Sequence, residues 1–582
     1  MTVFSEDAVR ILRRRYFLID EDGRIIEDEM GMLRRVAQVV ASVEKERHLW
    51  EERFFSLMAG KRFLPNSPTL ANAGRAKGQM AACFVLPVPD SIKGIFEAMK
   101  SAAQIHKSGG GTGFSFSQIR PKGDSVFFTG GVASGPVPFI KAFNCATDAV
   151  KQGGMRQGAN MAVLDYWHPD ILDFIRTKEK EGALTNFNIS VGVDQKFMSQ
   201  AASGGYIEMI NPRTGKEYGK SIKAMEIFDL LVAAAWENGE PGILFFDHIN
   251  NANSLPGYGP IHATNPCGEQ PLFDYESCNL GSLNLNAYLI ESSGGVGKQI
   301  NWDLLANDVH TAIRFLDNVI DVNYYVFPEI ETVTKGNRKI GLGVMGFANL
   351  LIALDIPYAS RQSLKLIDDL MGFIKAQARA ASKHLGKEKG SFSNIGSSIF
   401  KGIFMRNATV TTIAPTGTLS MLVEASSGIE PLFGLSFVKE VLEGQEFVVT
   451  NKQFEEVARR RGFWSKGMSD EVADRGSLMK INGVPEDVKK VFATAFEVTP
   501  EWHVKVQAAF QRHIDNAVSK TINFPAEAIP EDVRTAYLLA WKLGCKGLTI
   551  YRSGSRENQV LKFTKKDHVA QKYEAGCTNC TN

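Results

Sequence analysis

Cys267 stands between Pro266 and Gly268 in the run NPCGEQPLFDYESCNLGSLNL (265–285), with Glu269 two residues on and a second thiol, Cys278, eleven residues on. Proline removes a backbone donor and glycine permits unusual dihedrals, so Cys267 is expected on a turn or loop tip. A thiol held there beside a carboxylate packs poorly and suits catalysis. Asn265, Glu276 and Asn279 crowd further polar groups into the segment, which argues against an ordinary core strand. Cys83, in MAACFVLPV, and Cys278, opening SCNLGSLNLN, lie in runs whose type and length suit buried strands; either also fits a small core hydrophobe. Cys577 and Cys580 form the chain's one CxxC, behind the polar, Lys-rich KFTKKDHVAQKYEAG, which reads as a mobile arm. Cys145 and Cys545 fit core thiols.

Three segments offer contacts to a phosphate. SGGGTGFSF (108–116) lacks the Lys-Ser/Thr ending of a P-loop and the GxGxxG spacing of a dinucleotide fold, so a tight turn fits it equally well. APTGTLS (414–420) follows the apolar ATVTTI, and amides and hydroxyls at such an element start suit a diphosphate without lysine. NSPTL (66–70) could add hydroxyl and backbone contacts by the same logic.

These residues need a large scaffold. A chain of 582 residues implies several domains or one large α/β barrel. Lys and Arg number 66 against 64 Asp and Glu, so no global field draws it to nucleic acid or an anionic membrane, and an anionic ligand must be bound locally. No run of eighteen uncharged apolar residues occurs, and seven cysteines, sparse and odd in number, suit a reducing compartment; the expectation is a cytoplasmic protein. Residues 5 to 59 read as helical around a turn at Asp20 to Gly23, with Leu33, Val36, Ala37 and Val40 at helix spacing. From about 61 to 555, short apolar runs alternate with helices: AACFVLPVP then DSIKGIFEAMKSAAQIHK, MAVLDYW then HPDILDFIRTKE, FNISVGV then DQKFMSQAA, RKIGLGVMG then FANLLIALD. That alternation predicts parallel strands with crossover helices.

NSPTL, AACFVLPVPDSI, KSGGGTGFSFSQIRP, GGMRQGANMAVLDYWHPDILDFI, ATNPCGEQPLF with SCNLGSLNL, RKIGLGVMGFANLL, IAPTGTLS with SSGIEP, and QRHIDNAVSKTINFP occur in this order over nearly the whole chain. Together they resemble the catalytic subunit of ribonucleotide reductase. The resemblance implies a ten-stranded α/β barrel with a central finger loop (61–558), an N-terminal helical region (1–60) and a flexible redox tail (559–582). It implies that Cys267 carries a thiyl radical that abstracts the 3′ hydrogen of a ribonucleotide, that Glu269 takes the 3′-hydroxyl proton, and that Asn265 hydrogen-bonds the substrate. Cys83 and Cys278 match the pair oxidised to a disulfide, which requires Cα atoms within about 7 Å. Cys577 and Cys580 match the pair that re-reduces it by thiol exchange. A zinc site on His568, Cys577 and Cys580 would have three ligands where a structural site wants four, so no metal site is expected. Ser67, Ala82, Gly111, Pro415, Thr416, Gly417 and Thr418 are the implied substrate-binding positions. Asp90, Ser91, Ile92 and Arg120 match an effector site for deoxynucleoside triphosphates, with SVFFTGGVA as its loop and KQGGMRQGAN (151–160) relaying to the substrate. A homodimer and thioredoxin or a similar reductant follow from the same resemblance.

The family divides by its radical source. Where a metal-containing partner subunit supplies the radical, two adjacent tyrosines precede the C-terminal end; here the segment reads KGLTIYRSGSRENQ, with Arg552 after Tyr551, and the adjacent pair Tyr324-Tyr325 lies elsewhere. YRSGSR, NPCGEQPL and the CxxC resemble the adenosylcobalamin-dependent type, which needs no partner subunit. The glycyl-radical type is disfavoured by Glu269 and the lack of its tail motif. SEDAVRILRRRYF opens directly into the helical region, so inhibition by dATP through an ATP cone is not expected. APTGT without a basic cluster favours a diphosphate substrate over a triphosphate. A partner-subunit reductase and a non-catalytic nucleotide-binding regulator are the alternatives; the set Cys83, Cys267, Glu269 and Cys278 speaks against the regulator, which needs none of that chemistry.

Overall fold

The computed structural model describes residues 4–126, 130–152, 156–180, 182–292, 297–441, 445–555 and 561–562. Three helices open the chain: α1 (Glu6–Arg15), α2 (Glu29–Ala41) and α3 (Arg47–Ala59). Ser5 and Asp28 start the first two by accepting side-chain cap bonds from Ala8 and Gly31 N–H. Between them, Asp20 Oδ1 accepts from the Asp22 and Arg24 N–H groups and Gly23 takes φ +79°, which makes the DEDG turn. Leu33, Val36, Ala37 and Val40 of α2 are all buried, on the face that meets the long helix Trp302–Val322.

Five parallel strands follow: β1 (Cys83–Val85), β2 (Gly111–Ser115), β3 (Asn160–Asp165), β4 (Phe187–Val193) and β5 (Gly242–Phe245), paired in that order. A second parallel set contains β6 (Glu276–Asn284), β7 (Ile340–Met345), β8 (Thr521–Phe524) and β9 (Gly547–Arg552), with β6 on β7 and β8 on β9. Between β7 and β8 runs the segment 409–413, joined by the parallel bridges Leu342 to Thr411 and Ile413 to Val518. The two sets meet antiparallel at β1 with β6 and at β5 with β9. Counting 409–413, the ten segments close a ring. A short strand, Phe63–Pro65, adds to the outer part of β6.

Inside the ring stands a hairpin whose stem pairs Ala263 and Thr264 with Leu272 and Pro271. It can stand there because β2 is stripped of side chains on the facing side. A Cβ on Gly113 would lie 1.7 Å from the Thr264 carbonyl oxygen, and one on Gly111 would lie 3.0 Å from Pro266 Cγ. The glycine-rich run is therefore mostly a strand: only its start, where Gly109 has φ +94°, turns the chain. The bareness of Gly111 and Gly113 makes room for the hairpin.

One thiol departs from expectation. Cys145 is exposed, on helix Pro136–Ala149, where Ile140, Phe143 and Thr147 form the buried stripe and Cys145 falls off it. Cys545 is buried as expected. No helix among the described residues is long and apolar enough to cross a membrane.

Candidate active site

The hairpin tip carries Asn265, Cys267 and Glu269, and backbone bonds fix its shape. Asn265 N–H donates to Gln270 O at 3.2 Å, Gln270 N–H to Asn265 Oδ1 at 3.0 Å, and Gly268, at φ +79°, donates its N–H to Asn265 O at 3.1 Å. Two outside anchors hold it: Asn188 Nδ2 on β4 donates to the Pro266 carbonyl at 2.9 Å, and the Glu269 carbonyl accepts from Thr412 Oγ1 at 3.1 Å and Ala517 N–H at 2.9 Å. Cys267 is half-buried at the turn, as its Pro/Gly flanks predict.

On one side of the tip lies a closed polar cluster. Cys83 and Cys278 are directly opposed partners across the antiparallel seam of β1 and β6. Opposed antiparallel residues have Cα atoms about 4.5–5.5 Å apart, inside the range a disulfide spans. Both are free thiols here. Asn265 Nδ2 donates to Cys83 Sγ at 3.2 Å, and Cys83 Sγ faces Glu269 Oε1 at 3.9 Å. Burial pushes both thiols well above their usual range, with the Glu269 charge adding to the effect on Cys83 and the Glu276 charge to that on Cys278. Burial likewise lifts the Glu269 carboxyl to about 7, opposed by its hydrogen bond from Asn265. Glu269 Oε2 is buried without a hydrogen-bond partner. A carboxyl that titrates near neutrality with one oxygen uncommitted can accept a proton from a bound hydroxyl.

Behind Cys278 sits an ion pair the sequence did not reveal. Lys339 Nζ meets Glu276 Oε2 at 2.8 Å, Asn337 Nδ2 donates to Glu276 Oε1 at 2.7 Å, and Cys278 Sγ lies 3.4 Å from the Lys339 carbonyl. Glu276 and Lys339 are both buried, so the pair anchors the start of β6 as a satisfied internal unit.

On the other side of the tip opens a cavity of about 810 Å³ whose wall includes Pro266, Cys267 and Gly268 together with the inner faces of β3, β4, β5 and β9. Cys83, Cys278, Asn265 and Glu269 do not line it. Cys267 thus faces a large open space while its neighbours two residues either side face the dithiol.

Ala414 packs in the same apolar cluster as Ala82, Cys83 and Cys278, which brings the APTGT segment up to the thiols. Thr416 has φ +53° and its hydroxyl accepts from Gly428 N–H at 2.7 Å; Thr418 is buried and directly precedes a one-turn helix, Leu419–Leu422. Ser67 is the first residue of the helix Ser67–Asn72, capped by Asn66. Ala82 gives its carbonyl to Gly111 N–H at 2.9 Å, so both act here as backbone in the sheet. The Asp90, Ser91, Ile92 and Arg120 set also converges: Arg120 Nε donates to Asp90 Oδ2 at 2.8 Å, Ser91 caps helix Ile92–Lys107, and the Ile92 side chain is exposed. Cys577 and Cys580 lie outside the described residues, as do His568 and parts of the two expected effector loops, 127–129 and 153–155.

The profile of the ribonucleotide reductase barrel domain matches residues 81–404 and 399–551, and that of the family's all-alpha domain matches residues 2–78. The chain belongs to the ribonucleotide reductase family. It is 47% identical to the vitamin B12-dependent ribonucleoside-diphosphate reductase of Thermoplasma acidophilum, over 95% of this chain and 80% of that one. A protein of the same description from Mycobacterium tuberculosis is 45% identical over 98% of this chain and 81% of its own. Among solved structures, the class Id ribonucleotide reductase alpha subunit of Actinobacillus ureae superposes with a TM-score of 0.79 at 23% identity, covering 95% of this chain and 98% of that one, a likeness of fold.

Sequence reading missed Asn188, whose signal is faint: a lone amide in the mostly apolar FNISVGV strand. It also missed that Gly113 serves the hairpin, although glycines at alternate positions in a strand mark a place where another backbone approaches closely.

Proposed function

We propose that this reductase converts ribonucleoside diphosphates to 2′-deoxyribonucleotides by a thiyl-radical mechanism at Cys267, with adenosylcobalamin as the source of the radical. The observation that carries the reading is the position of Cys267 between a closed cluster of two thiols, a carboxyl and an amide on one side and an open cavity on the other. The cavity wall sets apolar Met161 and Leu244 beside the polar Asn188, Ser190 and Thr549 and the charged Lys178 and Glu240, a mixed lining that would offer both apolar contact and hydrogen bonds to a macrocycle with amide side chains. When bound there, adenosylcobalamin supplies an organic radical through homolysis of its cobalt–carbon bond. The names of the B12-dependent relatives support that choice.

The chain's own groups then divide the work. Cys267, as thiyl, takes the 3′ hydrogen atom of the ribose, and Glu269 takes the 3′-hydroxyl proton through its uncommitted oxygen. Asn265 orients both the substrate and Cys83. The 2′-hydroxyl leaves as water, the Cys83 and Cys278 thiols give up two electrons and two protons to become a disulfide, and Cys267 and Glu269 return the hydrogen atom and the proton to C3′ and its oxygen, which restores the thiyl and the carboxylate. A dithiol reductant, reached through Cys577 and Cys580, restores them. Ser67 and the 415–418 segment hold the phosphates, and Asp90, Ser91, Ile92 and Arg120 take a deoxynucleoside triphosphate effector at a homodimer interface. Residues 1–60, 61–558 and 559–582 serve as helical region, catalytic barrel and redox tail.

The test combines purified protein, adenosylcobalamin, a ribonucleoside diphosphate, an effector and dithiothreitol, scored for deoxyribonucleotide. Product without any added protein subunit is expected. Cys267→Ser should abolish turnover while leaving nucleotide binding near wild type. Turnover retained by that variant, or wild-type turnover only with a second subunit present, would overturn the reading.

A further inference from the structure

The two segments assigned to the phosphates, NSPTL (66–70) and APTGTLS (414–420), contain no lysine or arginine. The fold nonetheless brings one to them. Arg15, the last residue of α1, donates from Nη1 to Thr418 Oγ1 at 3.0 Å, and α1 packs on the helical turn Leu419–Leu422. The next residue, Tyr16, is buried, and its hydroxyl shares a 2.8 Å hydrogen bond with Ser67 Oγ. Two consecutive residues at one helix end therefore engage the two hydroxyl-bearing segments, which lie some 350 positions apart in the chain. Arg10 and Arg13 of the same helix are exposed.

We propose that the N-terminal helical region completes the phosphate end of the substrate pocket. Arg15 supplies a positive side chain there, facing the terminal phosphate of the ribonucleotide and orienting the Thr418 hydroxyl toward it, while Tyr16 fixes the Ser67 hydroxyl. A guanidinium reads a dianionic phosphate through charge-assisted bonds that an apolar-flanked hydroxyl set cannot match. The ligand class is a nucleotide with a terminal phosphate, and the discrimination falls on affinity rather than on the chemical step. This rests on the substrate reading above.

The experiment measures kcat and KM for a ribonucleoside diphosphate in wild type, Arg15→Gln, Arg15→Lys, Tyr16→Phe and, as a control on the exposed face of α1, Arg10→Gln. Equilibrium binding of the same nucleotide, and competition by inorganic pyrophosphate, are measured in parallel. Arg15→Gln should raise KM and the pyrophosphate inhibition constant about tenfold or more while kcat falls much less, with Arg15→Lys recovering part of the loss and remaining severalfold weaker than wild type. Tyr16→Phe should show a smaller change of the same kind, and Arg10→Gln none. Equal KM and pyrophosphate inhibition in wild type and Arg15→Gln would overturn the proposal, as would a loss confined to kcat. Should Arg15→Gln fold poorly, Arg15→Lys alone decides: pyrophosphate inhibition weakened severalfold supports the role, and no change removes it. A wild type that makes no deoxyribonucleotide but still binds pyrophosphate through Arg15 would sink the functional reading and leave this one standing.

Discussion

The two sides of the Cys267 hairpin are built on opposite plans. Toward Cys83 everything is closed: Cys83, Cys278, Asn265 and Glu269 are buried, and the polar atoms find one another, except for one carboxylate oxygen. Toward β4 and β9 the wall is open, and the same loop borders a cavity of about 810 Å³. The difference teaches what each side can tolerate. A closed, low-dielectric cluster shifts pKa values and holds protons where they are useful, whereas an open cavity admits a bulky group and shifts little. Placing Cys267 on the boundary lets one sulfur address both.

The largest break in this contrast comes from Glu269→Gln. Replacing the proposed general base should lower turnover by about 10²–10⁴-fold, and the acidic limb of the wild-type kcat/KM profile, expected near pH 7 where the carboxyl titrates, should vanish in the variant. The same shift has a stability signature. The folded carboxyl titrates at about 7 against an ordinary 4.5, so the folded state holds its proton more tightly than the unfolded chain. Stability on this account is fully present below pH 4.5 and is lost as pH rises through 7, by about 3 kcal/mol for a shift of this size. Urea unfolding of Glu269→Gln should lack that decline; an identical decline in both proteins would mean the closed side does not raise Glu269.

Next in size is Gly113→Ala, which attacks the contrast by moving the hairpin itself. The added Cβ would meet the Thr264 carbonyl at 1.7 Å, and backbone on both sides leaves nothing flexible to yield. Overpacking of this kind costs about 1–3 kcal/mol. Displacing the tip by about 1 Å can remove about a hundredfold in rate. Circular dichroism melts and turnover should both fall; full activity would mean that the stem can slide without disturbing Cys267.

How much of this was legible in the chain depends on whether the information was local. Turn chemistry is local, so Pro266 and Gly268 placed Cys267 correctly, and the alternating apolar runs gave β1, β3, β4 and β7 with the helices after them. Opposition of Cys83 and Cys278 is not local, since nearly two hundred residues separate them, and it came from the family resemblance rather than from spacing. Closure of the ring likewise came from the resemblance, because the alternation of strands and helices does not show how the sheet closes and 409–413 joins through single bridges. Gly111 and Gly113 read as a turn or a phosphate loop because the sequence does not display the hairpin they accommodate. Cys145 read as core because a lone cysteine says nothing about which helix face it takes.

The finest test of the two-sided design is Asn188→Ala. Asn188 stands on the wall of the open side, yet its 2.9 Å bond to the Pro266 carbonyl is what holds the tip from that side, where Thr412 and Ala517 hold it from the other. One neutral hydrogen bond contributes about 1 kcal/mol, roughly a fivefold effect. Turnover should fall by about that factor with nucleotide affinity unchanged, because the proposed phosphate contacts lie elsewhere, and Asn188→Asp should be no better than alanine, since a carboxylate cannot donate to a carbonyl. Unchanged kcat in Asn188→Ala would mean that the closed side alone positions Cys267, and that the open wall serves only to give the cavity its shape.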